Sequence, residues 1–142
     1  NLLEYFKEQI IYVDYFVWVV SIAALVVGGI GVLNTMLMSV SERTREIGTL
    51  RAQGWSRAMV MRLLVTEGMA ISSIGGIVGF GMGVVGAEIL TSMIPQGLVT
   101  TAYDWSIFAQ GFFVSILVGF FGSLYPAFQA SNLSPAEALR YE

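Results

Sequence analysis

Long apolar runs without charge alternate with short polar islands along this chain. Tyr15 to Ser41, Gly68 to Ala87 and Trp105 to Ala136 run for 27, 20 and 32 residues without a charged side chain. About 20 apolar residues cross about 30 Å of hydrocarbon as a helix, so each run is long enough to span a bilayer. The pattern predicts an all-α membrane protein with three transmembrane helices, at 15–41, within 57–93 and at 107–130. Ahead of the first, Leu3, Phe6, Ile10, Val13 and Val17 recur every three or four residues, which is one face of a helix. Residues 1–14 are therefore expected as an external stalk helix standing about 18 Å above the membrane.

The polar islands are as patterned as the runs. In "SERTREIGTLRAQGWSRAMVMR", Ser41 to Arg62, lie five of the six arginines of the chain. Glu42 and Arg45, and Arg43 and Glu46, are opposite charges three apart, the spacing of neighbours on a helix surface. Ile47 and Leu50 give the same segment a small apolar face. Gly54 suits the left-handed position just beyond a helix, and Ser56 suits the cap of the next one. Residues 42–54 are thus expected as a short cytoplasmic helix followed by a sharp turn. The helix over 57–93 has up to 37 residues, about 55 Å, longer than a bilayer is thick. After an external loop at 94–106 and the last span, Ser134-Pro135-Ala136-Glu137 forms a capping box with proline at the first helical position. It predicts a C-terminal cytoplasmic helix within 134–142.

Small residues recur every four positions in two spans: Gly75, Gly79, Gly83 and Ala87, and then Gly111, Ser115, Gly119 and Ser123. Such stripes let backbones approach closely in lipid, so both are expected at helix interfaces, including one with the other. Glu67 and Glu88 are expected near the membrane surfaces or facing partner helices, and Asn34 as an interhelical hydrogen-bonding residue.

Composition agrees with the pattern and charge orients it. Of the 142 residues 56% are hydrophobic and 12% charged, about half the charge of a soluble domain. Arg43, Arg45, Arg51, Arg57, Arg62 and Arg140 flank one side, whereas Lys7 is the sole cation of the other. The positive-inside rule then puts 42–54 and the C-terminus in the cytoplasm of a plasma (inner) membrane and the N-terminus outside. Tyr12, Tyr15, Trp18, Tyr103 and Trp105 would form the outer aromatic belt.

The chemistry available is narrow. With no cysteine and no histidine, disulfides, thiol nucleophiles, Ser/His/Asp triads and zinc sites built on those residues are excluded. Gly81-Met82-Gly83-Val84-Val85-Gly86 matches a dinucleotide fingerprint by letter, but it lies within a span and lacks the strand and aqueous site that the motif needs. No P-loop is present, and no mid-membrane charge or evident helix break marks an ion-coupled carrier. No signal peptide is recognisable, and the start at Asn1 suggests the C-terminal part of something longer.

"GGIGVLNTMLMSVSERTREIGTLRAQG" (Gly28 to Gly54), "SSIGGIVGFGMG" and "YPAFQASNLSPAEALRYE" (Tyr125 to Glu142) resemble the FtsX-like permease domain of MacB-type ABC transporters. The resemblance implies a four-helix permease protomer, of which this chain would hold the second to fourth spans. It implies a dimer with a second permease protomer, an ABC ATPase subunit or domain as partner, and an extracytoplasmic domain outside this chain. ATP hydrolysis on that partner would drive export or extraction by mechanotransmission. No catalytic residue, cofactor or metal is expected in this chain, ATP and Mg belonging to the ATPase. Carried onto this sequence, the ATPase contacts would be Glu42, Arg43, Arg45, Glu46, Ile47, Leu50, Arg51 and Gly54, with Pro135 and Glu137 of the tail as a second contact. The alternative is a membrane regulator or scaffold like the cell-division branch of the same family, which controls extracytoplasmic hydrolases.

Overall fold

The computed structural model describes residues 2–93 and 104–133, with side chains from Glu4 onward. Its described residues are all helix and turn. Four helices follow in order: α1 over Leu2–Glu42, α2 over Thr44–Ala52, α3 over Arg57–Ser92 and α4 over Trp105–Ser131. α1, α3 and α4 are each long and apolar enough to cross a membrane. The expected loop at 94–106 lies mostly outside the described residues, and the expected C-terminal helix at 134–142 lies outside them entirely.

α1 is one unbroken helix of 41 residues, about 60 Å long, so the amphipathic N-terminal segment and the first apolar run share one axis. α3 is also continuous, and Gly75 to Gly86 neither break nor unwind it. The fingerprint-like glycines therefore lie within a helix, with no strand before them.

α3 and α4 form the principal seam. A Cβ at Gly68 would collide with Ser123, one at Gly119 would come within 2.7 Å of the Gly68 carbonyl and of Ser72, and one at Gly76 within 2.5 Å of Ser115 Oγ. Four steps up α3 meet four steps down α4, so the two helices are antiparallel and in register. The serine hydroxyls of this seam mostly turn back to their own helix: Ser123 Oγ donates to the Gly119 carbonyl at 2.7 Å, and Ser115 Oγ to that of Phe112 at 2.7 Å. Ser72 Oγ is buried without a hydrogen-bond partner.

Within this chain the seam uses the expected stripe of α4 but not that of α3. Ser115, Gly119 and Ser123 pack, but against Gly68, Ser72 and Gly76. Gly75, Gly79 and Gly83, and Gly111 on α4, meet nothing from another helix among the described residues within 4 Å of where a Cβ would stand, and Ala87 is half-buried. The physical reason is a rotation of one residue. α3 carries two small-residue stripes offset by one position, about 100° apart around the axis, and spacing alone does not select between them.

α1 joins through Gly29 and Val32, which lie against Val118 and Gly122 of α4. Most of its large residues before that point, including Tyr12, Phe16, Trp18, Val20 and Ile22, are exposed. The buried core sits at the opposite end, where Met36, Val40, Ile47, Val60, Leu64, Val65, Ala127 and Ala130 come together from all four helices. Asn34 is exposed and makes no side-chain hydrogen bond among the described residues, so within this chain it does not bridge helices. At the end away from α2, α3 and α4 leave an apolar groove of about 590 Å³ lined by Ile77, Phe80, Trp105, Phe108 and Phe112.

Candidate functional site: the short helix between two spans

The four-helix core gathers around α2, and the local sequence explains how this helix is bounded. α1 runs through Glu42, its ladder closed by Arg43 N–H donating to the Ser39 carbonyl at 3.1 Å. Arg43 then takes φ −107° and ψ 17°, and one residue in this bridge region is enough to turn the chain from α1 into α2. Glu42 therefore ends α1 instead of opening α2, a shift of two residues from the expected start. Thr44 Oγ1 donates back to the carbonyls of Val40 and Ser41, both at 3.0 Å, which holds the joint closed.

The other end is a complete Schellman closure. Gly54 has φ +98°, its N–H donates to the Arg51 carbonyl at 3.1 Å, and Trp55 N–H donates to that of Leu50 at 3.1 Å. Without a Cβ, glycine adopts this left-handed conformation at no steric cost. Arg51 Nη1 donates to the Trp55 carbonyl at 2.9 Å, bracing the turn from inside, while its Nε is buried without a partner. Ser56 Oγ then accepts from Met59 N–H at 3.3 Å and starts α3. The turn at Gly54 and the cap at Ser56 are as the sequence predicts.

One face of α2 is closed off. Ile47 is 4% exposed among Met36, Val40, Val60 and Leu64, Gly48 is buried beside it, and Leu50 and Arg51 are half-buried. This corrects the expected footing: Ile47 faces the chain's own core and is not available to a partner, because α2 needs its apolar face to sit on α3. Full burial of one such side chain contributes about 2 kcal/mol. The open face carries Arg45, Glu46, Thr49 and Gln53, with Glu42 just ahead and Gly54 just beyond. Glu42 and Arg45 are exposed and form no ion pair among the described residues. Pro135 and Glu137 lie outside the described residues.

Among the described residues both ion pairs use Arg43. Its Nε donates to Glu46 Oε2 at 3.0 Å and its Nη1 to Glu67 Oε1 at 3.2 Å. The Glu46 hydrogen bond, followed by the charge of Glu67, raises the Arg43 guanidinium above its already high ordinary value, so it stays charged. Glu67 thus has a charged partner within the chain. The pairing with a residue 24 positions earlier is not readable from helical spacing; the only hint was that a carboxylate near the membrane needs a partner. A second unpredicted brace, Arg57 Nη1 donating to Asn132 Oδ1 at 3.1 Å, ties the start of α3 to the end of α4.

The sequence profile of the FtsX-like permease C-terminal domain matches residues 18–135. The chain belongs to that family. It is similar to the uncharacterized ABC transporter permease YknZ of Bacillus subtilis, 40% identical over 119 residues, which are 84% of this chain and 29% of YknZ. It is also similar to two proteins named macrolide export ATP-binding/permease protein MacB. That of Bdellovibrio bacteriovorus is 44% identical over 124 residues, 86% of this chain and 19% of the relative. That of Chlorobaculum tepidum is 45% identical over 112 residues, 79% of this chain and 17% of the relative. The chain thus spans less than a third of the length of each of these relatives. Family membership and three helices fit to cross a membrane make this FtsX-like chain a multi-pass membrane protein.

Proposed function

We propose that this chain is the C-terminal permease part of a MacB-like ABC transporter and that α2 is its docking element for an ATP-binding subunit or domain in the cytoplasm. The chain itself does no chemistry. ATP hydrolysis on the partner drives α2, and the spanning helices carry the motion outward to an extracytoplasmic domain, acting beside a second permease protomer. The observation that carries this reading is the form of α2: a short helix, closed at both ends, seated by one face and presenting unpaired charge on the other. A loop present only to satisfy the positive-inside rule has no need of a Schellman closure, a capped successor and a buried isoleucine. The names of the MacB relatives, which join ATP-binding and permease in one protein, support the same reading.

The test uses two charges that form no ion pair among the described residues. Reversing Glu42 and Arg45 together, as Glu42→Arg with Arg45→Glu, is expected to lower ATPase retention on the purified full-length permease about tenfold, which corresponds to about 1.4 kcal/mol. Helix content and thermal midpoint should stay unchanged. Undiminished retention in the double variant would remove α2 as the docking element.

A further inference from the structure

Seating alone leaves α2 free to roll. The apolar contact of Ile47 with Val60 and Leu64 holds α2 on α3, but such contact is non-directional and tolerates sliding and rotation. A charged hydrogen bond does not tolerate either, since it weakens steeply off its axis. Arg43 supplies that directional element, and its position is singular. It is the one residue between α1 and α2, its own N–H still closes the α1 ladder on Ser39, and its guanidinium reaches both Glu46, one turn into α2, and Glu67 on α3.

Glu67 stands immediately before Gly68, where α3 presses on Ser123 of α4. The cross-link from Arg43 therefore enters α3 beside the closest approach of the glycine–serine seam between α3 and α4. Side-chain exposures of 51% for Arg43 and 33% for Glu67 make the pair a poor source of stability, since partly solvated pairs contribute little. A contact of low stabilising value at a joint common to three helices is suited to fixing register.

We infer that the Arg43–Glu67 pair is a clasp that makes α2 and α3 move as one body, so that displacement of α2 is handed to the α3–α4 seam instead of being lost as rolling of α2 on its seat. Glu67 is accordingly a positioning residue for coupling, with no contact to the ATPase. This inference rests on the docking role of α2 proposed above, and the experiment separates the two.

These 142 residues contain no cysteine, and any cysteine elsewhere in the full-length permease or its ATPase is first replaced by serine. Spin labels at Ala52→Cys at the end of α2 and Ala70→Cys on α3, both exposed positions, report their separation in the full-length permease with its ATPase in nanodiscs. The distance distribution should be single and narrow with and without ATP. In Glu67→Gln it should broaden or split while the amount of bound ATPase is unchanged, and permease-dependent stimulation of ATP hydrolysis should fall about fivefold, the lower end of typical coupling between sites. Glu67→Asp should keep most of both, and Glu67→Arg, which sets like charges together, should lose both most fully. Unchanged distances and stimulation in both Glu67→Gln and Glu67→Arg, with the ATPase bound, would overturn the clasp and leave docking intact. Retention of the ATPase by the Glu42→Arg/Arg45→Glu protein would overturn docking, while the label distances would still judge the clasp.

Discussion

Asp104 stands at the start of a span. It occupies the cap of α4 in extended conformation, and Ser106 Oγ donates to its Oδ2 at 2.6 Å. That hydrogen bond, first among the causes, holds the Asp104 carboxyl below its ordinary value of 3.8. A carboxyl depressed in the folded state contributes stability above its unfolded pKa, and that contribution is lost as the pH falls through the folded value. Ser106→Ala should move the Asp104 titration up toward 3.8. A carbon-detected NMR titration of this carboxyl reads the shift directly; an unmoved midpoint would mean that the hydroxyl is not its main partner. Gly54 and Ser56 belong to the same scale. Both are legible in sequence because a left-handed turn and a helix cap are chosen by the residue itself and its immediate neighbours.

At the level of elements, the α3–α4 seam turns on which of two glycine stripes faces inward. Gly119→Val places methyl groups where Gly68 and Ser72 already stand, and overpacking of this kind costs about 1–3 kcal/mol. Gly79→Ala meets open space within this chain and exchanges a poor helix former for a good one, so it should leave the fold intact or stabilise it slightly. Thermal unfolding of the two variants in detergent should lower the midpoint for Gly119→Val alone. Equal losses would show that the stripe through Gly75, Gly79 and Gly83 is also packed. Glu67 teaches a related lesson. Its helix followed from counting residues, but its partner Arg43 lies at the joint of two other elements, and no periodicity connects the two.

The whole molecule is a bundle closed at one end and open at the other. Its core from Met36 to Ala130 gathers where α2 sits, while α1 stands largely bare from Tyr5 to Val27. Fold class and number of spans were plain from the apolar runs, since a bilayer demands length and composition before it demands shape. The orientation expected from the arginines can be tested with single cysteines. A membrane-impermeant maleimide should label Lys7→Cys in intact cells, and Thr49→Cys only once the cytoplasmic side is opened. The reverse pattern would invert the topology and with it the cytoplasmic role of α2.

Local rules thus decided much of this protein from sequence alone: three helices fit to span a membrane, a short helix between two of them, a glycine turn and a serine cap. Each depends on the chain within a few residues or on the uniform demand of the bilayer. Tertiary structure decided what those rules leave degenerate. It chose Gly68, Ser72 and Gly76 over the neighbouring stripe, turned Ile47 into the core instead of toward a partner, and joined Arg43 to Glu67 across elements. The reason is the same in all three cases. A helix offers several usable faces, and only the simultaneous packing of its neighbours fixes its rotation about its own axis.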